Sequence, residues 1–362
     1  MKKILVLLGL FCAVQLSAQY EFTIKNNIEC TSVKNQQRTG TCWSFSTTSF
    51  LESELMRLGK PEIDLSEMFM VRNIYLDKAR NYVLRQGKAN FSQGGLSHDV
   101  IRAFQMAGAV PESAYSGLLP GDEYYDHSEM EAAMKGMLDG LVGRKKLSNR
   151  WPGAVDCILD NYMGEAPDTF TYQGKKYTPE SFAKSLGIKA DDYVTLTSFS
   201  HHPFYETFIL EIPDNYSNGA YYNLPLDELQ AIVDNALSTG YTVAWDGDVS
   251  EKGFSAGQGL AVMPADPEAV INQPVDELNV TQELRQEGYE SYATTDDHLM
   301  HLTGLAVGQN GTKFYLTKNS WGEVSQYKGF LYMSDAYFRM KTVGIMVHKD
   351  AIPKDIAAKL SL

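Results

Sequence analysis

The chain has few cysteines, fewer basic than acidic residues, and few long runs of apolar residues. Its 362 residues include four cysteines, and 32 Lys and Arg stand against 45 Asp and Glu, for a formal net charge of −13. An acidic surface without a basic cluster repels nucleic acid, so nucleic acid is not expected as a partner. After the N-terminal segment, no stretch is long and apolar enough to span a membrane. The composition, 44% hydrophobic and 21% charged, is that of a globular protein.

The N-terminal segment has the composition of a secretory signal peptide. Residues 2 and 3 are lysines, residues 4–14 are apolar, and the segment closes with the small residues expected at a cleavage site. The apolar run is too short for a stable membrane span, and Cys12 lacks the neighbours of a lipoprotein cysteine. We therefore expect cleavage after Ala18, no membrane anchor, and export to the periplasm or the extracellular space.

Removal of this segment leaves three cysteines, Cys30, Cys42 and Cys157. An odd number in an exported protein indicates a free thiol, and Cys42 is the candidate. Cys30 and Cys157 stay a candidate disulfide pair, because the sequence does not give the distance between them.

Cys42 lies in the most informative segment of the chain, Gln-Gln-Arg-Thr-Gly-Thr-Cys-Trp-Ser-Phe at 36–45. The pattern places Cys42 at the first turn of a helix, where the helix dipole favours the thiolate and lowers the pKa of the thiol. Six residues earlier, Gln36 offers an N–H donor to the same pocket. The two residues supply a nucleophile and part of an oxyanion hole, as acyl transfer requires. The alternative is a small buried cysteine beside a core tryptophan.

Two downstream segments contain the groups that a nucleophilic cysteine needs. Residues 297–304 read Asp-His-Leu-Met-His-Leu-Thr-Gly, and residues 319–322 read Asn-Ser-Trp-Gly. A cysteine nucleophile requires a histidine to hold its proton, and the histidine requires a polar group to fix its tautomer. His298 and His301 are both candidates, and on a strand they face opposite sides. Asn319 is the candidate polar partner.

The order of these groups resembles that of papain-like cysteine peptidases, and within them the bleomycin hydrolase and aminopeptidase C family. The resemblance runs from about residue 33 to about residue 360 and is weaker in the middle. It includes Ser-Gln-Gly-Gly at 92–95, Gly-Ala-Val-Pro-Glu-Ser at 108–113, Tyr-Lys-Gly-Phe-Leu-Tyr-Met at 327–333 and Ala-Ile-Pro-Lys-Asp at 351–355. The family pattern places His298, rather than His301, in the catalytic position.

The resemblance implies a cysteine peptidase that hydrolyses peptides through a thioester acyl-enzyme. Cys42 is then the nucleophile, His298 the proton carrier and Asn319 the residue that orients the histidine. The supporting residues implied are Gln36 in the oxyanion hole, Gly94 and Gly95 along an extended substrate, Asp297 before the histidine, and Trp321 over the His–Asn hydrogen bond. No cofactor is implied. A metal is not expected either, because the adjacent His201 and His202 would face opposite sides of a strand without further ligand spacing.

Helical patterns come first along the chain and strand patterns later, which is the arrangement of an α+β fold. Helices are predicted over 41–58, 66–79, 97–107, 127–141, 178–187 and 226–237, and strands over 241–245, 298–307, 312–318, 330–333 and 343–347. The resemblance makes this a papain-like two-lobed fold, with an active-site cleft between the lobes. The expected parts are a signal peptide at 1–18 and a peptidase domain at 19–362, with a helical left lobe at about 30–240, a family-specific elaboration at about 122–223 and an antiparallel β right lobe at about 241–350.

Exopeptidase and endopeptidase activity both stay open. The aminopeptidase character of the family depends on a C-terminal arm that lies in the cleft, and the resemblance stops shortly before Leu362. A short arm favours an open cleft and leaves the family's hexamer, and hence the oligomeric state, undecided. The stretch before Gln36 also has no room for an inhibitory prosegment. Family resemblance favours an aminopeptidase; the alternatives are an endopeptidase, a non-catalytic binding protein on the same fold, and hydrolysis of non-peptide amides.

Overall fold

The computed structural model describes residues 19–362, so the expected signal peptide lies outside the described residues. The helices are α1 (Cys42–Arg57), α2 (Glu67–Leu84), α3 (Ser97–Ala107), α4 (Ser128–Val142), α5 (Trp151–Met163), α6 (Pro179–Leu186), α7 (Leu226–Ser238), α8 (Gln282–Glu290), α9 (Asp335–Lys341) and α10 (Lys354–Leu360). The strands are β1 (Phe22–Asn27), β2 (Phe170–Tyr172), β3 (Lys175–Tyr177), β4 (Tyr193–Thr197), β5 (Thr207–Ile209), β6 (Ala220–Asn223), β7 (Val243–Gly247), β8 (Phe254–Ser255), β9 (Leu260–Ala261), β10 (His298–Gly308), β11 (Lys313–Lys318), β12 (Phe330–Ser334) and β13 (Thr342–His348). Among residues 19–362, none of the helices combines the length and apolar character needed to cross a membrane.

Local signals account for the ends of several helices. Ser66 caps α2, and its side chain accepts a hydrogen bond from the backbone N–H of Phe69. Gly108 ends α3 with a φ of 84°, a conformation that favours glycine. The six predicted helices are all present; α2 continues beyond its expected end, to Leu84. Four further helices, α5, α8, α9 and α10, were not predicted from the sequence.

Most strands join one eleven-stranded sheet, in the order β5-β6-β4-β13-β7-β10-β11-β12-β9-β8, with β1 paired to β10. β10 and β11 form an antiparallel hairpin whose turn contains Asn310 and Gly311, as the Asn-Gly pair predicts. A register shift between Leu302 and Gly304 bends β10 within this hairpin. β10 is therefore paired with β1, β7 and β11.

The boundary between the lobes differs from the one expected near residue 240. β4, β5 and β6 join the main sheet, and the apolar side chains of α7 pack in the core on the same side as Trp245 and Met300. The chain therefore enters the sheet at Tyr193, inside the segment expected to elaborate the helical lobe. These strands are short and partly exposed, so they lack the alternating apolar pattern that identifies a longer strand.

The two faces of β7 and β10 contact different cores, and this arrangement positions the site. Ala244 and Leu299 belong to the core of the helical lobe, whereas Trp245 and Met300 belong to the core that contains α7, α9 and α10. α1 packs against β10 and β7 on the helical side. The N-terminus of α1 consequently lies beside the first residue of β10, with Cys42 on one element and His298 on the other.

Candidate active site

Residues far apart in the chain line one cleft between the helices and the sheet. Cys42 begins α1, His298 begins β10, and Asn319 directly follows β11. Gln36, Cys42, Gly94, Gly95, Asp297, His298 and Trp321 all line this cleft. Every residue that the family pattern assigned to the site is therefore brought to the cleft or, as Asn319 is, held directly against a residue that lines it.

The hydrogen bonds of Asn319 define the tautomer of His298. The Oδ1 atom of Asn319 accepts the backbone N–H of Ser320 at 2.7 Å and lies 2.7 Å from Nε2 of His298. A backbone N–H can only donate, so the shared atom is the amide oxygen, and Nε2 of His298 must carry a proton to reach it. In a neutral imidazole this leaves the lone pair on Nδ1, which is the atom free to take a proton from a thiol. Trp321 lies over the imidazole, with ring centroids 4.5 Å apart.

Gln36 is held at both ends of its amide group. Its Oε1 accepts a hydrogen bond of 2.6 Å from Oγ of Ser320, and its Nε2 donates one of 2.7 Å to the carbonyl of Thr39. The backbone N–H of Gln36 also donates to the carbonyl of Ser320 at 2.8 Å. One of the two Nε2 hydrogens is used by Thr39, so the second is available to an oxyanion in the cleft.

The thiol of Cys42 does not have the lowered pKa expected at a helix N-terminus. Burial raises the pKa of Cys42 to about 12, against a smaller opposing effect of the Leu299 backbone, and burial lowers the pKa of His298 to about 4. A helix terminus contributes about 1 kcal/mol, less than one pKa unit, so desolvation outweighs it. The carboxyl groups of Asp296, Asp246 and Asp214 raise the thiol pKa further. Both shifts favour a neutral thiol beside a neutral imidazole in the empty cleft.

The glycines of the Ser-Gln-Gly-Gly segment occupy positions where a side chain would collide with its surroundings. A Cβ on Gly95 would lie 2.9 Å from Cε2 of Trp43, and one on Gly94 would lie 1.7 Å from Oδ2 of Asp214. The indole of Trp43 is itself buried and donates to the carbonyl of Gln93 at 2.9 Å. The segment therefore presents bare backbone to the cleft, as close contact with an extended peptide requires.

His301 faces away from the cleft, as the strand alternation predicts. Its Nδ1 is 2.9 Å from Oγ of Ser49, and its pKa is lowered well below the usual value by burial and by the neighbouring Lys318. It lines a small internal cavity with Ser49 and Lys318, whereas His298 lines the open cleft.

Asp297, beside His298, accepts a hydrogen bond of 2.9 Å from the backbone N–H of Val249, and burial raises the pKa of Asp297 to about 6.

Sequence reasoning missed several residues of the site. Ser320 lies inside the Asn-Ser-Trp-Gly motif, so its position in that motif is a sequence signal that could have identified it as a site residue. Lys78 carries no such signal: it is a single lysine in α2, yet it is buried and donates to the carbonyls of Ser92 and Gly94. The carboxylates of Asp214, Asp246 and Asp296 also lie in three separate segments, and no sequence motif links them.

Two other expectations concern residues outside the cleft. His201 and His202 are not on a strand; both contact Glu211, at 3.3 and 2.7 Å, so the expectation that they face opposite sides is wrong. The ligand atoms of these three residues lie within 4.8 Å of one another.

In the described chain, Cys30, Cys42 and Cys157 are all free thiols, so the candidate disulfide is not formed.

Comparison with known proteins gives matches along most of the chain. Residues 162–362 match the Peptidase C1-like family, and residues 17–149 match the papain family of cysteine proteases. Aminopeptidase G of Lactobacillus delbrueckii subsp. lactis is 25% identical, over 91% of this chain and 84% of its own. Aminopeptidase C of Listeria innocua is 24% identical, over 93% and 84%. Bleomycin hydrolase of Mus musculus is 22% identical, over 91% and 82%.

The fold also matches a solved structure. The structure of PepW from Lactobacillus rhamnosis has a TM-score of 0.73 to this chain at 19% sequence identity, and the match covers 94% of this chain and 84% of PepW. At this identity the likeness concerns the fold, and it supports the two-lobed α+β arrangement expected from the motifs.

Proposed function

Because the chain belongs to the Peptidase C1-like family and is a cysteine peptidase, we propose that it works as an aminopeptidase through a thioester at Cys42. The matches to families, relatives and the solved structure confirm three expectations from the motifs: the family resemblance, the α+β papain-like fold and the cysteine-peptidase activity. The observation that carries the proposal is the hydrogen bond from Nε2 of His298 to Asn319, which leaves Nδ1 free in the cleft that Cys42 lines.

The proposed reaction begins with proton transfer from the Cys42 thiol to Nδ1 of His298. The sulfur then attacks the substrate carbonyl, and the negative oxygen is stabilised by Nε2 of Gln36 and the backbone N–H of Cys42. The C–N bond breaks as His298 returns its proton to the leaving amine, which yields a thioester. Water then attacks the thioester, with His298 taking the proton of the water and giving it back to the departing sulfur. Asn319 keeps the imidazole in the tautomer that this cycle needs.

Removal of N-terminal residues is favoured because the matched relatives include aminopeptidases G and C. Cleavage of internal bonds is the second candidate. Within the described residues, the cleft lining contains none from α10, whose Ile356 and Leu360 are buried in the core with α7. A binding protein without turnover is a weaker alternative, because it has no physical need for the arrangement of Gln36, Cys42, His298 and Asn319.

The test is hydrolysis of one peptide with a free amino terminus and of the same peptide with an N-acetyl group. We expect release of single residues from the free peptide, slow cleavage of the acetylated one, and labelling of Cys42 by an epoxysuccinyl inhibitor. Cys42→Ala is the control, and it should lose both hydrolysis and labelling while keeping its melting temperature. Turnover by the purified Cys42→Ala protein would refute the mechanism. Release of internal fragments from both peptides at equal rates would favour the endopeptidase.

We also propose that the protein is exported, on the composition of residues 1–18. Determination of the N-terminus of protein recovered from outside the cytoplasm tests this, and we expect it to begin at Gln19. Recovery of the full-length chain from the cytoplasm alone would refute export.

A further inference from the structure

Three carboxyl groups lie together at the side of the cleft formed by Gly94. Asp214 comes from the loop between β5 and β6, Asp246 from β7, and Asp296 from the segment before β10. Asp214 and Asp296 line the cleft. All three raise the pKa of the Cys42 thiol.

Hydrogen bonds to one carboxylate oxygen of Asp214 hold its side chain, and the other oxygen lies against the backbone of Gly94. Its Oδ1 accepts hydrogen bonds from Nδ2 of Asn90 at 2.8 Å and from Oγ of Ser92 at 3.2 Å. Its Oδ2 lies 1.7 Å from the place that a Cβ of Gly94 would take, and within the described residues it has no hydrogen-bond donor. Gly94 therefore makes room for this oxygen, which stays free to bind a group in the cleft.

Asp246 is a buried carboxyl group directed toward the same place. It is 3% exposed, and within the described residues neither of its oxygens has a hydrogen-bond partner outside the acidic cluster. It is paired across the sheet with Leu299, and directly opposed residues of antiparallel strands project to the same face. Since Leu299 lines the cleft and packs in the helical-lobe core, Asp246 projects to that side as well. Its neighbour there is the carboxyl of Asp296, and because the pKa of Asp246 is raised well above its usual value, Asp246 holds the proton that the two carboxyl groups share.

Among the described residues, the buried Lys78 balances only part of this charge. Its charge acts on Asp214 and Asp296, but its Nζ donates to the carbonyls of Ser92 and Gly94 rather than to a carboxylate. Burial and mutual repulsion accordingly raise the pKa of Asp296 to about 7 and that of Asp246 well above its usual value. Buried carboxyl groups whose negative charge is only partly balanced destabilise the folded protein, so such a cluster is expected where a ligand supplies the missing positive charge.

We propose that Asp214, Asp246 and Asp296 form a subsite for a cationic nitrogen of the substrate, on the acyl side of the scissile bond. The proposal rests on the proposed peptidase function and specifies its substrates. The nitrogen is the free α-ammonium of the peptide or the side-chain cation of a Lys or Arg before the scissile residue. Both sources lie within reach, because an extended peptide advances about 3.5 Å per residue along the Gly94–Gly95 backbone.

A cation in this subsite also acts on the nucleophile. The three carboxyl groups disfavour ionisation of Cys42, and a bound ammonium cancels that repulsion. The thiolate then forms more readily when a substrate with the required charge is in place. Selection for a cationic nitrogen should consequently show in kcat as well as in KM.

The test compares kcat/KM for four coumarin amides: alanyl, N-acetyl-alanyl, N-acetyl-lysyl-alanyl and N-acetyl-norleucyl-alanyl. The enzymes are the wild type, Asp214→Asn, Asp296→Asn and, as matched control, Glu131→Gln. Glu131 lines the same cleft, but its carboxylate accepts a hydrogen bond of 2.8 Å from Nε2 of Gln93. Removing its charge therefore changes the net charge of the cleft equally without touching the proposed subsite. Melting temperatures and inhibitor labelling of Cys42 establish that each variant is folded.

We expect the wild type to prefer a cationic substrate over its neutral counterpart by at least about tenfold. Both Asp→Asn variants should lose that preference and cleave neutral substrates at the wild-type rate or faster, because less negative charge opposes the Cys42 thiolate, and Glu131→Gln should keep the preference. Preference for the free alanyl amide identifies the α-ammonium as the ligand, and preference for lysyl over norleucyl identifies the side chain. Equal rates for cationic and neutral substrates, or a preference that survives both Asp→Asn changes, would overturn the subsite while leaving the peptidase intact. If no amide or peptide is cleaved and Cys42 is not labelled, the proposed function fails and the subsite with it.

Discussion

Oγ of Ser320 donates a hydrogen bond of 2.6 Å to Oε1 of Gln36. Ser320 follows the residue that orients His298, so one short segment holds both the proton carrier and the oxyanion donor. The bond orients the amide of Gln36, with Nε2 as the group that remains available to the cleft. Ser320 is thus a positioning residue that acts through Gln36.

Ser320→Ala should lower kcat by about tenfold and leave KM almost unchanged, because Gln36 acts on the oxyanion rather than on the bound substrate. The loss should be smaller than that of Gln36→Ala, which removes the donor itself and should cost about a hundredfold. Steady-state kinetics on a free peptide measure both variants. Ser320→Thr keeps the hydroxyl and should recover part of kcat. A Ser320→Ala enzyme with unchanged kcat would show that Gln36 is held without this bond.

His298→Ala and His301→Ala should have opposite effects on activity and stability. His298→Ala should lose about a thousandfold or more in kcat/KM, because no group remains to take the thiol proton. His301→Ala should keep activity within about threefold but unfold more easily by about 1–3 kcal/mol, because His301 is fully buried and bonded to Ser49. Peptide kinetics and thermal unfolding separate the two effects. The reverse ranking of activities would mean that the catalytic histidine has been misassigned.

Alkylation of Cys42 by iodoacetamide should rise steadily with pH in the empty enzyme. The raised thiol pKa and the lowered His298 pKa make the charged pair rare, so the thiolate fraction should grow by about tenfold per pH unit between pH 6 and 9. Peptide mapping separates Cys42 from the other thiols. A rate plateau around neutral pH that disappears in His298→Ala would instead demonstrate a resting thiolate–imidazolium pair.

Asp246→Asn should stabilise the protein, and more so at higher pH. A carboxyl whose folded pKa is raised contributes stability that is complete below its unfolded pKa, near 3.8, and is lost as the pH rises through the folded pKa. Because the folded pKa of Asp246 is well above its usual value, the loss begins near the unfolded pKa and continues as the pH rises toward the folded pKa. Melting temperatures between pH 5 and pH 8 measure the difference between the variant and the wild type. A difference that does not grow with pH would contradict this account.

Gly95→Ala and Gly136→Ala should shift stability in opposite directions. A Cβ at Gly95 meets the buried ring of Trp43 at 2.9 Å, so the substitution should cost about 1–3 kcal/mol and reduce activity. Gly136 lies within α4 with nothing within 4 Å of its Cβ position, so alanine there should stabilise the helix by up to about 1 kcal/mol. Denaturant unfolding measures both. A harmless Gly95→Ala would show that Trp43 can move away.

Much of the site could be predicted because it depends on local patterns. The start of α1 at Cys42, the hairpin turn at Asn310 and the opposite facing of His298 and His301 follow from helical period, turn chemistry and strand alternation. Each of these signals lies within a few residues, so local sequence is enough to specify the elements that hold the nucleophile, the histidine and Asn319.

Other properties of the protein depend on segments that are distant in the chain, and they arise only when these segments pack together. β4, β5 and β6 join the sheet because their partners, β13 among them, complete the hydrogen bonding of short strands without a clear pattern of their own. The thiol pKa of Cys42 is raised rather than lowered because burial is set by everything packed around it, and it outweighs the local helix dipole. The convergence of Asp214, Asp246 and Asp296 has the same origin: each carboxyl group is unremarkable in its own segment, and the charge becomes concentrated only when folding brings the three segments to one side of the cleft.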